Sequence, residues 1–171
     1  MPVVEIPKEK WSGSVRTITL GAGGDGGTRT STVTVGGETT LPFLHFEGNI
    51  PNRPIVAAEV VDCYPADWSP ELLAAWGDLA KDPAAWAKKA VELGADAIAL
   101  KLRSAHPDLG NCAPADAAMT VKNLLAAVGV PLIVYGPGVA EKDNEVLVAV
   151  AEAAKGERIV LANCEDKNYR T

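Results

Sequence analysis

Basic residues are scarce in this chain: 16 Lys and Arg stand against 22 Asp and Glu, for a net charge of −6. Nucleic-acid binding requires a basic stripe or patch, so no nucleic-acid partner is expected. No apolar run approaches the roughly 20 residues of a membrane helix. The opening Met1–Lys10 is a mixture of proline, valine and charge, without the apolar core of a signal peptide. A cytoplasmic protein with no membrane partner is therefore expected. Cysteine is limited to Cys63, Cys112 and Cys164, and an odd number at long spacings predicts reduced thiols rather than a disulfide framework. No pair has Cys-x-x-Cys spacing, so even with His106 they make a poor soft-metal set, and no metal site is expected. His45 and His106 are the two histidines, and neither is accompanied by a nucleophile elbow, which argues against a hydrolase triad.

What the chain does contain is a repeated joint. An amphipathic helix runs into a glycine, two residues follow, and an apolar strand begins. The joints are Gly94-Ala95-Asp96, Gly129-Val130-Pro131 and Gly156-Glu157-Arg158. Glycine just past a helix supplies a left-handed cap, and short αβ loops belong to βα-repeat folds. With strands over Ile55–Asp62, Ala97–Leu102, Leu132–Gly136 and Ile159–Asn163, there are four β units and three crossover helices. A closed (β/α)8 barrel takes about 250 residues, against 171 here. The expected fold is α/β: the N-terminal half of a TIM (β/α)8 barrel, four parallel strands with crossover helices, preceded by a β-hairpin. Residues 1–54 are expected to form the hairpin and a connector, and residues 55–171 the partial barrel.

Within the first part, residues 1–13 read as an irregular lead-in. Val15–Leu20 and Thr30–Val35 alternate and are rich in β-branched residues, around the run Gly21-Ala22-Gly23-Gly24-Asp25-Gly26-Gly27. That run tempts a phosphate-loop reading, but a strand follows it instead of a helix and Gly-Lys-Ser/Thr is missing. A flexible hairpin turn is expected, placed where it would cap the bottom of a barrel. The connector 36–54 carries prolines that exclude a continuous helix, and Leu41, Phe43, Leu44, Phe46 and Ile50 are expected to pin it against a core.

In the second part, Ile55–Asp62 is apolar on both parities apart from Glu59 and Asp62, the pattern of a strand covered on both faces. A loop with Trp68 and Trp76 holds a short helix near 70–80. Helix one is capped by Asp82 and Pro83 and buries Trp86, Ala90 and Leu93. Helix two starts near Pro114 and buries Ala118, Val121, Leu125 and Val128. Helix three follows Asp143 and buries Val146, Leu147, Val150 and Ala154, while Asn168–Thr171 begins a fourth. Alternation puts Ile98, Leu100 and Leu102 under the helices and Lys101 on the opposite, lumenal face. Glu59 points the same way from the neighbouring strand, so the two are expected to pair, since a lone charge there is costly. Asp62, Asn163 and Glu165 gather at strand ends, with the three cysteines on the same carboxyl face, where barrel sites form.

Several clusters of residues resemble a known family. They are Gly26-Gly27-Thr28-Arg29, Leu41-Pro42-Phe43, His45-Phe46-Glu47-Gly48, Asn52-Arg53-Pro54, Glu59-Val60-x-Asp62, Leu100-Lys101-Leu102, Thr120-Val121-Lys122, Val128-Gly129-Val130-Pro131-Leu132, Glu141-Lys142-Asp143 and Asn168-Tyr169. Spread over nearly the whole chain, they resemble the small (delta) subunit of the corrinoid iron–sulfur protein of the acetyl-CoA decarbonylase/synthase system. The resemblance implies a TIM-barrel subunit that pairs with a large (gamma) subunit carrying the corrinoid (cobamide) and a 4Fe–4S cluster. Together they ferry a methyl group on cobalt from methyltetrahydrofolate, or its methanopterin analogue, to acetyl-CoA synthase. A methyltransferase and acetyl-CoA synthase are the transient partners. No catalytic residue and no cofactor of its own are implied for this chain; Asp62, Lys101, Asn163 and Glu165 would line the surface over the corrin. Family members run through eight strands, so a fragment of a longer frame, or completion by a second chain, is expected. The rival is a pterin-binding methyltransferase half-barrel in which Asp62 and Asn163 grip the pterin. A flavodoxin-like module is a third possibility and requires strand order 2-1-3-4.

Overall fold

A computed structural model describes residues 4–171. The irregular lead-in expected over 1–13 is present from residue 4 onward, and its first three residues lie outside the described ones. The chain divides into two units, one comprising residues through 19 with 34–55, the other 20–33 with 56–171.

In the first unit, β1 (Ile18–Leu20) and β2 (Val33–Val35) pair, shorter than the alternating runs suggested. The hydroxyls of Thr19 and Thr34 meet at 3.0 Å. The connector is not pinned by its apolar residues. Pro42–Leu44 forms a single 3-10 turn with no buried side chain, and Phe43 is 72% exposed. Backbone and side-chain polar bonds hold this segment instead. Asn52 donates to the Gly36 carbonyl at 2.7 Å, and the Glu47 carboxylate accepts from the Trp11 indole at 2.8 Å.

The second unit is built on four parallel strands, β3 (Ala57–Val61), β4 (Ala97–Lys101), β5 (Leu132–Tyr135) and β6 (Val160–Ala162), paired in chain order. Sequential order rules out the 2-1-3-4 arrangement. The register runs Val61↔Lys101↔Tyr135↔Ala162, so the carboxyl ends of all four strands share one edge. The helices are α1 (Pro70–Trp76), α2 (Pro83–Glu92), α3 (Pro114–Ala127) and α4 (Ala140–Ala153). Asp82 caps α2 as expected, accepting from the Ala84 amide at 2.9 Å ahead of Pro83.

One face of the sheet carries the core. Val60, Ile98, Leu100, Leu102, Leu132 and Val134 are sealed beneath Trp86, Ala90, Val121, Leu124, Val146 and Val150. Trp68 and Trp76 close over Trp86, their rings centred 5.0 and 5.7 Å from it. The other face is open: Ala57 and Glu59 are exposed, and Ala99, Lys101, Ile133, Tyr135, Val160 and Ala162 are only half-buried. The double-sided burial expected for the first strand is met only at its carboxyl end, where Val60 and Val61, on opposite faces, are both buried.

Three helix details differ from expectation, each for a local reason. Leu93 is 69% exposed because it is the residue after α2, already outside the helical period. The α3 stripe is Ala117, Val121 and Leu124, one position off the expected Ala118 and Leu125. Val128, which seemed to set that period, is buried from an extended position beyond the helix. Helix α4 starts three residues before Asp143, and Leu147 within it is only half-buried. Asn168–Thr171 closes a turn on the Glu165 carbonyl instead of beginning a helix.

The carboxyl edge of the sheet as candidate functional site

The parallel sheet fixes where polar residues after each strand must lie. Asp62 follows β3, Lys101 ends β4, and Asn163 and Glu165 follow β6, so all four expected site residues stand along the carboxyl edge. They form two groups rather than one.

The first group is at β3 and β4. Lys101 Nζ lies 2.6 Å from Glu59 Oε2 on the open face, as alternation predicted, with side chains 42% and 54% exposed. Asp62 is committed elsewhere. Its carboxylate accepts from the Ser104 amide at 2.9 Å and the Ser104 hydroxyl at 2.5 Å, holding the 3-10 turn Arg103–Ala105 against the end of β3. Ser104 Oγ also lies 3.1 Å from Cys112 Sγ. Burial pushes the neighbouring Cys63 thiol up, the Asp62 charge adds to it, and Arg103 opposes. Thus Asp62 builds the edge, and Lys101 is tied to Glu59 on the open face beside it.

The second group is at β6. The Asn163 carbonyl accepts from the Asn168 amide group at 2.9 Å, and the Glu165 amide donates to Asn168 Oδ1 at 2.7 Å. Asn168, buried by these bonds, folds the segment back and leaves the Asn163 and Glu165 side chains outward. Beside them a groove of about 320 Å³ runs between α4 and β6, lined by Asp143, Asn144, Leu147, Leu161, Asn163 and Tyr169. Asp143 is buried and accepts from the Gly138 amide at 3.0 Å. Burial raises its carboxyl above the usual range despite that bond, and the Glu165 charge raises it further. Asn144 Oδ1 is buried in the groove wall with no hydrogen-bond partner.

Asp143, Ser104 and Asn168 went unread as site residues in the sequence. The signal for Asp143 was Gly136-Pro137-Gly138 five residues upstream, a bend whose free amide needs an acceptor. Nothing in the spacing of Asp62 and Ser104, 42 residues apart, announced their contact. The glycine-rich run joins the paired strands β1 and β2, as the expected hairpin connection does. Residues 21–31 pack under the opposite, amino edge of the sheet, where Arg29 and Glu157 form a buried ion pair at 2.9 Å.

The family model of the CO dehydrogenase/acetyl-CoA synthase delta subunit matches residues 17–171. The acetyl-CoA decarbonylase/synthase complex subunit delta of Archaeoglobus fulgidus is 41% identical over 158 residues, covering 91% of this chain and 35% of that protein. The same subunit of Methanocaldococcus jannaschii is 36% identical, covering 93% and 39%. That of Methanothermobacter thermautotrophicus is 37% identical, covering 96% and 41%. The chain thus spans little more than a third of the length of these relatives. Among solved structures, the carboxyl transferase domain of Rhizobium etli pyruvate carboxylase superposes with a TM-score of 0.44 at 20% identity, over 67% of this chain and 17% of that one. The chain belongs to the CO dehydrogenase/acetyl-CoA synthase delta subunit family.

Proposed function

We propose that this chain is the N-terminal half of the small-subunit barrel of a cytoplasmic corrinoid iron–sulfur protein, and that it acts as a scaffold rather than a catalyst. It pairs with the large subunit, which carries the cobamide and the 4Fe–4S cluster. It covers the cobamide while a methyl group passes from methyltetrahydrofolate or methyltetrahydropterin to acetyl-CoA synthase. The cobalt chemistry belongs to the cofactor, and this chain contributes positioning and exclusion of water. The half-barrel reading rests on the sequential parallel order, with helices on one face and the other left open.

The observation that carries the scaffold reading is the state of Asp62. A pterin-gripping role asks for a free carboxylate at that strand end, and both Asp62 oxygens are taken by Ser104. What this end of the sheet does offer is Lys101, half-exposed in its pair with Glu59 on the open face, and the outward Asn163 and Glu165, a cation, an amide and a carboxylate suited to the amide-bearing rim of a corrin. These three residues and the turn built on Asp62 make up the proposed contact surface. Amide and carboxylate groups in the α4–β6 groove favour the second reading, a pterin site, and the experiment separates the two. The chain is mixed with the cobamide-loaded large subunit, and in parallel titrated with methyltetrahydrofolate while tryptophan fluorescence is followed. Co-elution that weakens on Lys101→Met or Asn163→Ala, without fluorescence quenching, is the expected result. Quenching without co-elution would establish the pterin reading instead.

A further inference from the structure

The glycine-rich segment plays no part in the proposed contact surface, yet it and the residues that follow, through Ser31, are bonded to the chain at several points. It bridges the entrances to two strands. The Thr30 and Ser31 amides donate to the Gly129 carbonyl, just before β5, at 2.9 and 3.2 Å. The Gly21 amide donates to the Arg158 carbonyl, just before β6, at 3.0 Å. Between these anchors the Glu157 carboxylate accepts from the Thr28 amide, the Thr28 hydroxyl and Arg29 Nε, all within 3.1 Å. The rest of the Arg29 guanidinium caps the carboxyl end of α3, donating to the carbonyls of Leu125 and Val128, where the helix dipole favours a cation. The side chains of Arg29 and Glu157 are 1% and 10% exposed. A cation sealed that deeply depends on its carboxylate, since removing either partner leaves an uncompensated buried charge.

The strand this segment reaches is the weakest of the sheet. β6 has three residues, pairs only with β5 among the described strands, and leaves Leu161 38% exposed. Its ladder consists of Ile133↔Val160, Val134↔Leu161 and Tyr135↔Ala162. So short a ladder is marginal without support at its ends. We propose that residues 21–31 are a clasp that holds β6 in place from its amino end. Breaking the Arg29–Glu157 pair opens the clasp and releases β6 with it, and so moves Asn163–Glu165 at the far end of the molecule's candidate site.

Amide hydrogen exchange tests this directly, because single amides report single strand pairs. Gly136 donates to the Ala162 carbonyl and so reports β6; Leu102 donates to Tyr135 and Asp62 to Lys101, reporting the inner pairs. In the parent chain the Gly21, Thr30 and Gly136 amides should open together, at a lower free energy than Leu102 and Asp62, and in Arg29→Met all three should exchange on the order of a hundredfold faster. Release of Gly21 and Thr30 with Gly136 still protected would show that clasp and strand are independent and overturn the proposal. Exchange of Gly136 in the parent chain only together with Leu102 and Asp62, through global unfolding, would also overturn it. Should Arg29→Met fail to fold, Glu157→Gln gives the same amide readout and adds another. Trypsin should cut after Arg29 in that variant and spare the parent chain; resistance in both, or cutting in both, counts against the clasp.

Discussion

Two ion pairs with similar separations behave differently because water reaches one of them. Arg29–Glu157 is sealed, so Arg29→Met should lower unfolding free energy by about 3–5 kcal/mol in urea titrations at neutral pH. Burial alone pushes the Glu157 carboxyl up, but the Thr28 amide and hydroxyl and the Arg29 guanidinium outweigh it and hold the group below its ordinary range. A depressed folded value means the contribution is complete above the unfolded glutamate range and is lost as pH falls through the folded value. Stability measured along a descending pH series should therefore drop, and Glu157→Gln should flatten that part of the profile. Glu59–Lys101, about half exposed on both sides, is worth less than about 1 kcal/mol. Lys101→Met should leave the melting temperature nearly unmoved while weakening co-elution with the large subunit. Asp62→Ala should show the reverse balance: orphaning the Ser104 amide and hydroxyl costs about 1–3 kcal/mol, visible in thermal melts.

At the level of elements, the αβ joints show how much the sequence disclosed. Gly94 and Gly156 have positive φ of 101° and 91°, as left-handed caps should. Gly129 looks identical in the sequence but has a different reason to be glycine. A Cβ there would stand 1.9 Å from Thr30 Oγ1, so the residue is small because the clasp lies on it. Gly129→Ala should cost about 1–3 kcal/mol, and Thr30→Ala in the same chain should recover part of it. A double-mutant cycle by chemical denaturation checks the coupling. Strand order, the helix side of the sheet and the Glu59–Lys101 pair were legible because alternation and joint spacing are local signals. The clasp was not, because Arg29 and Glu157 are 128 residues apart and no periodicity links them. The connector misled for the opposite reason: Leu41, Phe43 and Phe46 are apolar, yet tight turns at Pro42 direct them to solvent. Asp62 was visible as a strand-end carboxylate, but only its contact with Ser104 shows that it serves the turn.

Taken as a whole, the molecule pairs a well-sealed helix-covered face with an open sheet face bearing Ile133, Tyr135 and Val160. Open apolar sheet surface and unpaired strand edges favour association with other chains. Ile133→Lys should reduce concentration-dependent self-association in sedimentation velocity, with little change in melting temperature because the position is only half-buried. The position of the clasp also has a consequence for biosynthesis. Arg29 is incorporated long before its counter-ion, since Glu157 is translated 128 residues later. At bacterial-like elongation speeds that interval is on the order of ten seconds. Throughout it the guanidinium has no carboxylate to receive it and the segment around it remains unattached. The base of the sheet can therefore close only once Glu157 has been made, which makes the nascent chain a natural client for holding chaperones and gives the unit around β6 control over when the segment around Arg29 settles.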